Sequence, residues 1–271
     1  GSNALLSLPV QFIGGKMMIV RALAGKLNLL TSTPDSNPLS HITGNSPIDF
    51  AAMTPLQAEN SLLHDPTAYA QIKTVIIGGA GITENLLEKL AQCPNHNYST
   101  YGMTETVSHV AMSKIGNTKD IVYHALPGIS FESTKDDCLV IHAPSLDILK
   151  METNDLVSLK NQQAFTWLGR KDNIINSGGL KIYPEALERS LIPIINKPFI
   201  VAGIPDVSLG TKAVVVVEGT YTDIERVRLL NEIKKVIPGP ARPREIICID
   251  KLEYLPQGKI NRKDSLRKIL S

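Results

Sequence analysis

From Tyr101 to His109 the chain reads YGMTETVSH, which places an aromatic ring, a glycine and a Thr104–Glu105 pair within a few residues of one another. Together these types suit a nucleotide phosphate that carries a metal ion. A carboxylate is a hard oxygen ligand for Mg²⁺, an ion that keeps most of its waters and bridges phosphates, and an aromatic offers a flat face to a base. A polar loop with an incidental Thr-Glu pair is the bland alternative. Two further blocks follow in order, GRKDNIINSGGLKIYPEALE from Gly169 and PQGKINR from Pro256. Upstream, Gly78-Gly79-Ala80-Gly81 follows a short β-branched run, where glycines either bring backbone close to a ligand or simply turn the chain tightly. This turn does not satisfy G-x-G-x-x-G, which disfavours a dinucleotide fold. Neither H-E-x-x-H nor G-x-S-x-G occurs, so zinc-enzyme and serine-hydrolase readings lack support. The histidines at 41, 64, 96, 124 and 142 read as surface or capping residues, with His109 set apart because it lies four residues beyond Glu105.

Positioning these groups requires an ordered scaffold, and its elements are visible as patterns. LLSLPV reads as a strand, preceded by Gly1-Ser2-Asn3-Ala4 as a cloning remnant or a polar turn. An apolar strand so near the first residue suggests that upstream residues are absent. Met17–Leu30, the most apolar stretch, reads as a buried helix too short to span a bilayer, which needs ~20 apolar residues. Thr54, Pro55 and Gln57 form a capping box with proline at the first helical position, starting a helix that runs through Leu62. Thr74–Ile77 is a strand, and TENLLEKLAQC a helix capped by Thr83. From Asp137, CLVIHAP, DLVSL and AFTWLG suggest antiparallel strands. Beyond Asp172 the pattern becomes a helix from Pro184, strands in PFIVAGI and KAVVVVEG, a helix in TDIERVRLLNEIKKVI and a strand in REIICI, a small α+β domain.

A chain of 271 residues with 43% hydrophobic and 20% charged residues and net charge +2 has an ordinary globular composition, with neither disorder nor a nucleic-acid footprint implied. Residues 172–271 hold 16 basic and 12 acidic side chains against 12 and 14 in residues 1–171, a small excess that suits a phosphate-rich ligand or merely a solvated surface. Cys93, Cys138 and Cys248 are odd in number and lack C-x-x-C spacing, which argues against disulfides or zinc and fits a reducing cytoplasm.

The three ordered blocks resemble the adenylate-forming superfamily of acyl-CoA synthetases, luciferases and peptide-synthetase adenylation domains. That resemblance implies an α/β fold in which 1–171 is the C-terminal part of a large AMP-binding domain and 172–271 a small mobile α+β domain. It implies ATP, Mg²⁺ and coenzyme A, with no tightly bound prosthetic group. A carboxylate would attack the α-phosphorus of ATP to give an acyl-adenylate and pyrophosphate, after which the acyl group would pass to the CoA thiol. Charge builds on phosphate oxygens, where each preorganised donor is commonly worth ~10² to 10³ in rate.

By the same resemblance, Glu105 holds Mg²⁺, Thr104 donates to the α-phosphate, and Tyr101 with Gly102 flanks the adenine, approached also by Gly79 and Ala80. Asp155, in TNDLVSL, accepts from both ribose hydroxyls. Asn154 stands where the family has glycine and is expected to adopt the left-handed turn there. Arg170 is the second ribose contact, or a surface ion pair. Lys259, bracketed by Pro256 and Gly258, meets the carboxylate and α-phosphate during adenylation. Asp172 is the hinge, Gly178 and Gly179 line the pantetheine tunnel or merely permit positive φ, and Lys181 approaches the site in the thioester-forming state. LLSLPVQFIGGKMMIVRAL is similar, within this superfamily, to the o-succinylbenzoate–CoA ligases of menaquinone biosynthesis. Phe12, where many relatives have histidine, and His109 then border the acyl pocket. Lys16 or Arg21 would meet the acid's second carboxylate, unless Arg21 is buried on carbonyls. No Ser/Thr/Gly-rich phosphate loop precedes Leu5, so the chain is expected to be part of a longer enzyme. Expected partners are a small carboxylic acid, ATP and CoA, with no nucleic acid, no membrane span and a second copy as a candidate dimer partner through the N-terminal helix. An aryl- or medium-chain acid, or a non-catalytic AMP/CoA-binding module, is the alternative.

Overall fold

The computed structural model describes residues 1–42, 47–116, 121–255 and 260–270. The chain divides into one unit of residues 1–134, 139–153 and 158–167 and a second of residues 135–138, 154–157 and 168–271.

In the first unit the chain runs β1 (Asn3–Leu6), α1 (Ile13–Gly25), β2 (Asn28–Thr31), β3 (Phe50–Met53), α2 (Pro55–His64), α3 (Pro66–Gln71), β4 (Thr74–Ile77), α4 (Glu84–Gln92) and β5 (His96–Gly102). Strands β6 (His109–Lys114), β7 (Val122–Ala125), β8 (Ser130–Ser133), β9 (Cys138–Ala143), β10 (Ile148–Asn161) and β11 (Ala164–Arg170) follow, of which residue 138, residues 154–157 and residues 168–170 count with the second unit. The sheet has the order β2-β1-β3-β4-β5-β6-β7-β11-β10-β9-β8. Pairings from β2 to β5 are parallel, and β5–β6, β6–β7 and β7–β11 are antiparallel.

The parallel half is buried on both faces, as helical crossovers demand. Successive side chains point to opposite faces. Leu5, Ala51, Met53, Val75 and Ile77 therefore meet Ala58 of α2, Tyr69 of α3 and Leu86 and Leu90 of α4 on one side. Ala4, Leu6, Ala52 and Ile76 meet Met18 of α1 on the other. Each fully buried aliphatic side chain contributes about 1.5–3 kcal/mol. Helix starts follow the caps read in the sequence: Thr54 accepts from Gln57 in a complete capping box, and Thr83 accepts from Leu86.

Two expectations for the N-terminal stretch are corrected. Strand β1 already starts at Asn3, whose amide donates to Asp49 at 2.8 Å, so Asn3 and Ala4 are strand and not a turn. Met17–Leu30 is not one buried helix: α1 ends at Gly25, Lys26 takes a left-handed conformation (φ 50°), and β2 begins at Asn28. Only Gly15, Met18 and Ala22 are buried on α1, while Leu23 is 76% exposed, because the sheet covers a single stripe of the helix.

The second unit contains a hairpin of β12 (Ile175–Ser177) and β13 (Leu180–Ile182), then α5 (Pro184–Leu191), β14 (Phe199–Asp206), β15 (Gly210–Glu218), α6 (Asp223–Val236), β16 (Ile246–Ile249) and α7 (Arg262–Leu270). Strands β14 and β15 are antiparallel, and β16 adds parallel to β15. Val201, Ala213, Val215 and Val217 pack against Leu191, Leu229 and Ile233, hence against α5 and α6. Ile200, Ala202, Val214 and Val216 face Leu266 and Ile269 of α7. Arg262 fixes the start of α7: it donates to the Val201 carbonyl at 3.0 Å and pairs with Glu188, whose carboxyl is pushed up by burial.

Candidate functional site

Gly79 and Ala80 lie just past β4, and Tyr101 and Gly102 close β5. The register pairs Ile77 with Ser99, so the two loops leave adjacent parallel strands side by side. Ligands of open α/β sheets bind outside these carboxyl ends. The Tyr101 ring is already engaged, edge-on to Phe165 with centroids 5.0 Å apart and tilted on Tyr123 at 5.8 Å. Gly102 has a structural reason of its own: a Cβ there would come within 2.5 Å of the His109 Cα and the Ser108 carbonyl, where β6 crosses at a bulge.

Thr104 and Glu105 are exposed on a short turn, Thr104–Thr106. Thr106, buried at 1% exposure, holds it. Its hydroxyl accepts from the Met103 amide at 3.0 Å and lies 2.7 Å from the Ser108 carbonyl. Val107 has φ 62° and ψ −43°, a conformation that costs a β-branched residue about 1–3 kcal/mol, and the Ser108 amide closes over it onto the Thr106 carbonyl at 2.6 Å. The surrounding bonds over-determine this turn and keep Thr104 and Glu105 presented. Thr106, the second of three hydroxyl residues in TETVS, was the signal available in the sequence.

Arg21 of α1 reaches the same end of the sheet. Its guanidinium donates to Ser108 Oγ at 2.7 Å and lies 3.3 Å from His109 Nδ1. Its partners are therefore side chains, not the carbonyls considered above. Among the described residues no carboxylate lies within ion-pair distance of it. Burial, with the Arg21 charge as a second cause, pushes His109 down to about 4, so the imidazole is neutral and Nδ1 is suited to accept. Phe12 precedes α1 and is 40% exposed, and Lys16 is exposed on that helix.

In the second unit Asp155, Arg170 and Asp172 come together. Arg170 Nη1 is 3.6 Å from Asp155 Oδ1, and Nη2 is 3.3 Å from Asp172 Oδ2. Asn154 donates to that same Asp172 oxygen at 3.3 Å. The left-handed turn expected at Asn154 does not occur, because β10 runs through it as extended strand and Asn154 is not among the positive-φ residues. Gly178 (φ 56°) and Gly179 (φ 84°) are the two loop residues of the β12–β13 hairpin, where both central positions need positive φ. Lys181 is exposed on β13. Pro256, Gly258 and Lys259 lie outside the described residues.

No protein-family model matches the chain. A solved acyl-CoA synthetase (AMP-forming)/AMP-acid ligase II-like protein from Dyadobacter fermentans is 31% identical, covering 99% of this chain and 79% of that one with a TM-score of 0.60. The chain belongs to the adenylate-forming, acyl-CoA synthetase family. A 2-succinylbenzoate–CoA ligase of Lactococcus lactis is 26% identical over 282 residues, 97% of this chain. The o-succinylbenzoate CoA synthetase of Bacillus subtilis, solved with its acyl-adenylate, shares the fold at TM-score 0.80 and 18% identity. This family member spans 61% of the length of the Lactococcus ligase. No helix among its described residues is long and apolar enough to cross a membrane.

Within this family member, the residues present fit a substrate-borne Mg²⁺. Among the described residues no group of three or more acidic, His or Cys side chains forms a metal cage, and Glu105 is a single exposed carboxylate. One carboxylate plus waters and substrate phosphates is how Mg²⁺ is commonly held.

Proposed function

We propose that the protein containing this chain is an ATP- and CoA-dependent acid–thiol ligase that forms an acyl-adenylate and then an acyl-CoA, with o-succinylbenzoate as its acid. The observation that carries the reading is the pair of loops after β4 and β5, in a chain that is 31% identical to a synthetase-like protein. Gly79, Ala80, Tyr101 and Gly102 bind the adenine end, Thr104 donates to the α-phosphate, and Asp155 and Arg170 take the ribose. Glu105 would hold Mg²⁺, which when bound neutralises phosphate charge. Lys259 steadies the reacting carboxylate and α-phosphate, and Asp172 serves as the hinge between the two half-reactions. Gly178, Gly179 and Lys181 serve the CoA arm.

Arg21 supports the choice of acid. Among the described residues, this half-buried guanidinium has a neutral histidine and a hydroxyl as neighbours and no carboxylate within ion-pair distance, and a second carboxylate on the substrate would supply the anion such a charge ordinarily requires. Phe12 and His109 border the same pocket in this reading. An aryl or medium-chain acid would lack that anion, so competition among carboxylates in CoA-dependent AMP formation separates the choices.

Lys259→Ala, made in the full-length protein, tests the division of labour. Acyl-adenylate formation falls by about 10² or more, while thioester formation from supplied acyl-adenylate is retained. Equal loss of both half-reactions contradicts the assigned role.

A further inference from the structure

The Asp155–Arg170–Asp172 cluster contains a contact that a glycine at 154 could not make, and it bears on how the chain binds its nucleotide. This inference rests on the ribose role proposed for Asp155 and Arg170. Arg170 stands between two carboxylates of different character. Asp155 is 7% exposed, whereas the Asp172 side chain is 61% exposed. The guanidinium lies nearer to the exposed one, 3.3 Å against 3.6 Å, and the longer separation exceeds hydrogen-bond length. Asn154 explains why the exposed carboxylate keeps its place: its amide donates to the same Oδ2 that Arg170 holds. Lys171, the neighbouring cation, is drawn to Asp136 at 2.7 Å and leaves Asp172 to Arg170 and Asn154.

We propose that Asn154 and Asp172 are positioning residues that set nucleotide affinity by holding the Arg170 fork, through its Nη2, toward the 171–173 turn, so that a ribose and Asp172 compete for the orientation of that fork. Binding a nucleotide and tethering that turn then compete for one guanidinium. Because linkage is reciprocal, a nucleotide that captures Arg170 loosens the turn by the same factor by which the tether weakens nucleotide binding. The exposed pair and one amide bond make this a tuning effect, not a switch.

The test is calorimetric AMP binding to the full-length protein and to its Asn154→Ala, Asp172→Ala, Arg170→Ala and Lys171→Ala variants, with hydrogen exchange at 171–173 in the presence and absence of AMP. Asp172→Ala tightens AMP binding about three- to fivefold and Asn154→Ala about twofold, the scale of exposed polar pairs. Arg170→Ala weakens binding, Lys171→Ala leaves it unchanged, and AMP speeds exchange at 171–173 in the wild type. A merely structural role for Asn154 and Asp172 would lower affinity or leave it alone. Unchanged or weaker binding in both alanine variants, with the wild type binding AMP, overturns the competition and spares the nucleotide reading. No AMP binding by the wild type overturns both.

Discussion

His109 is kept neutral by two causes acting in the same direction, burial and the positive charge of Arg21. Its folded value of about 4 lies below the ordinary 6.5, so between these values the unfolded chain binds more protons than the folded one. Stability from this residue is complete above about pH 6.5 and is lost as pH falls toward 4. With partial solvent screening the loss is about 1–2 kcal/mol. Thermal unfolding at pH 7 and pH 4.5 should therefore show the wild type losing more stability than His109→Gln by that amount, and equal losses would refute the burial argument. The sequence singled out His109 only by its spacing to Glu105, which says nothing of its burial. Its partner was not legible there, because Arg21 lies 88 positions away and only the fold brings them together.

At the scale of elements, caps and periodicity carried far. The start of α2 at Pro55, strand β4 at Thr74–Ile77 and the Thr83 cap of α4 follow from local bonds that sequence spacing records. Depth of burial was not recorded in the same way, since an apolar run such as Met17–Leu30 does not say how much of its surface a sheet will cover. Nor did the Asn154 substitution reveal that β10 would run straight through it. The ion pair that starts α7 was equally invisible, for Arg262 and Glu188 are 74 residues apart. Removing one partner of so nearly buried a pair strands the other charge. Arg262→Ala is expected to cost about 3 kcal/mol in urea unfolding of the chain; a loss under about 0.5 kcal/mol would show the pair to be incidental.

For the molecule as a whole, the ordered blocks at Tyr101, Gly169 and Pro256 carry the family resemblance in the sequence itself, and the mixed sheet and the 31% identical relative agree with it. Substrate choice is less legible, because an acyl pocket is assembled from distant side chains. The chain spans 61% of the Lactococcus ligase, so its chemistry is best tested in the full-length protein. The decisive measurement is mass spectrometry of products from ATP, Mg²⁺, CoA and o-succinylbenzoate with that protein. The account predicts o-succinylbenzoyl-CoA and AMP in equal amounts; turnover only with another acid would contradict the substrate, and no acyl-CoA from any acid would contradict the ligase itself.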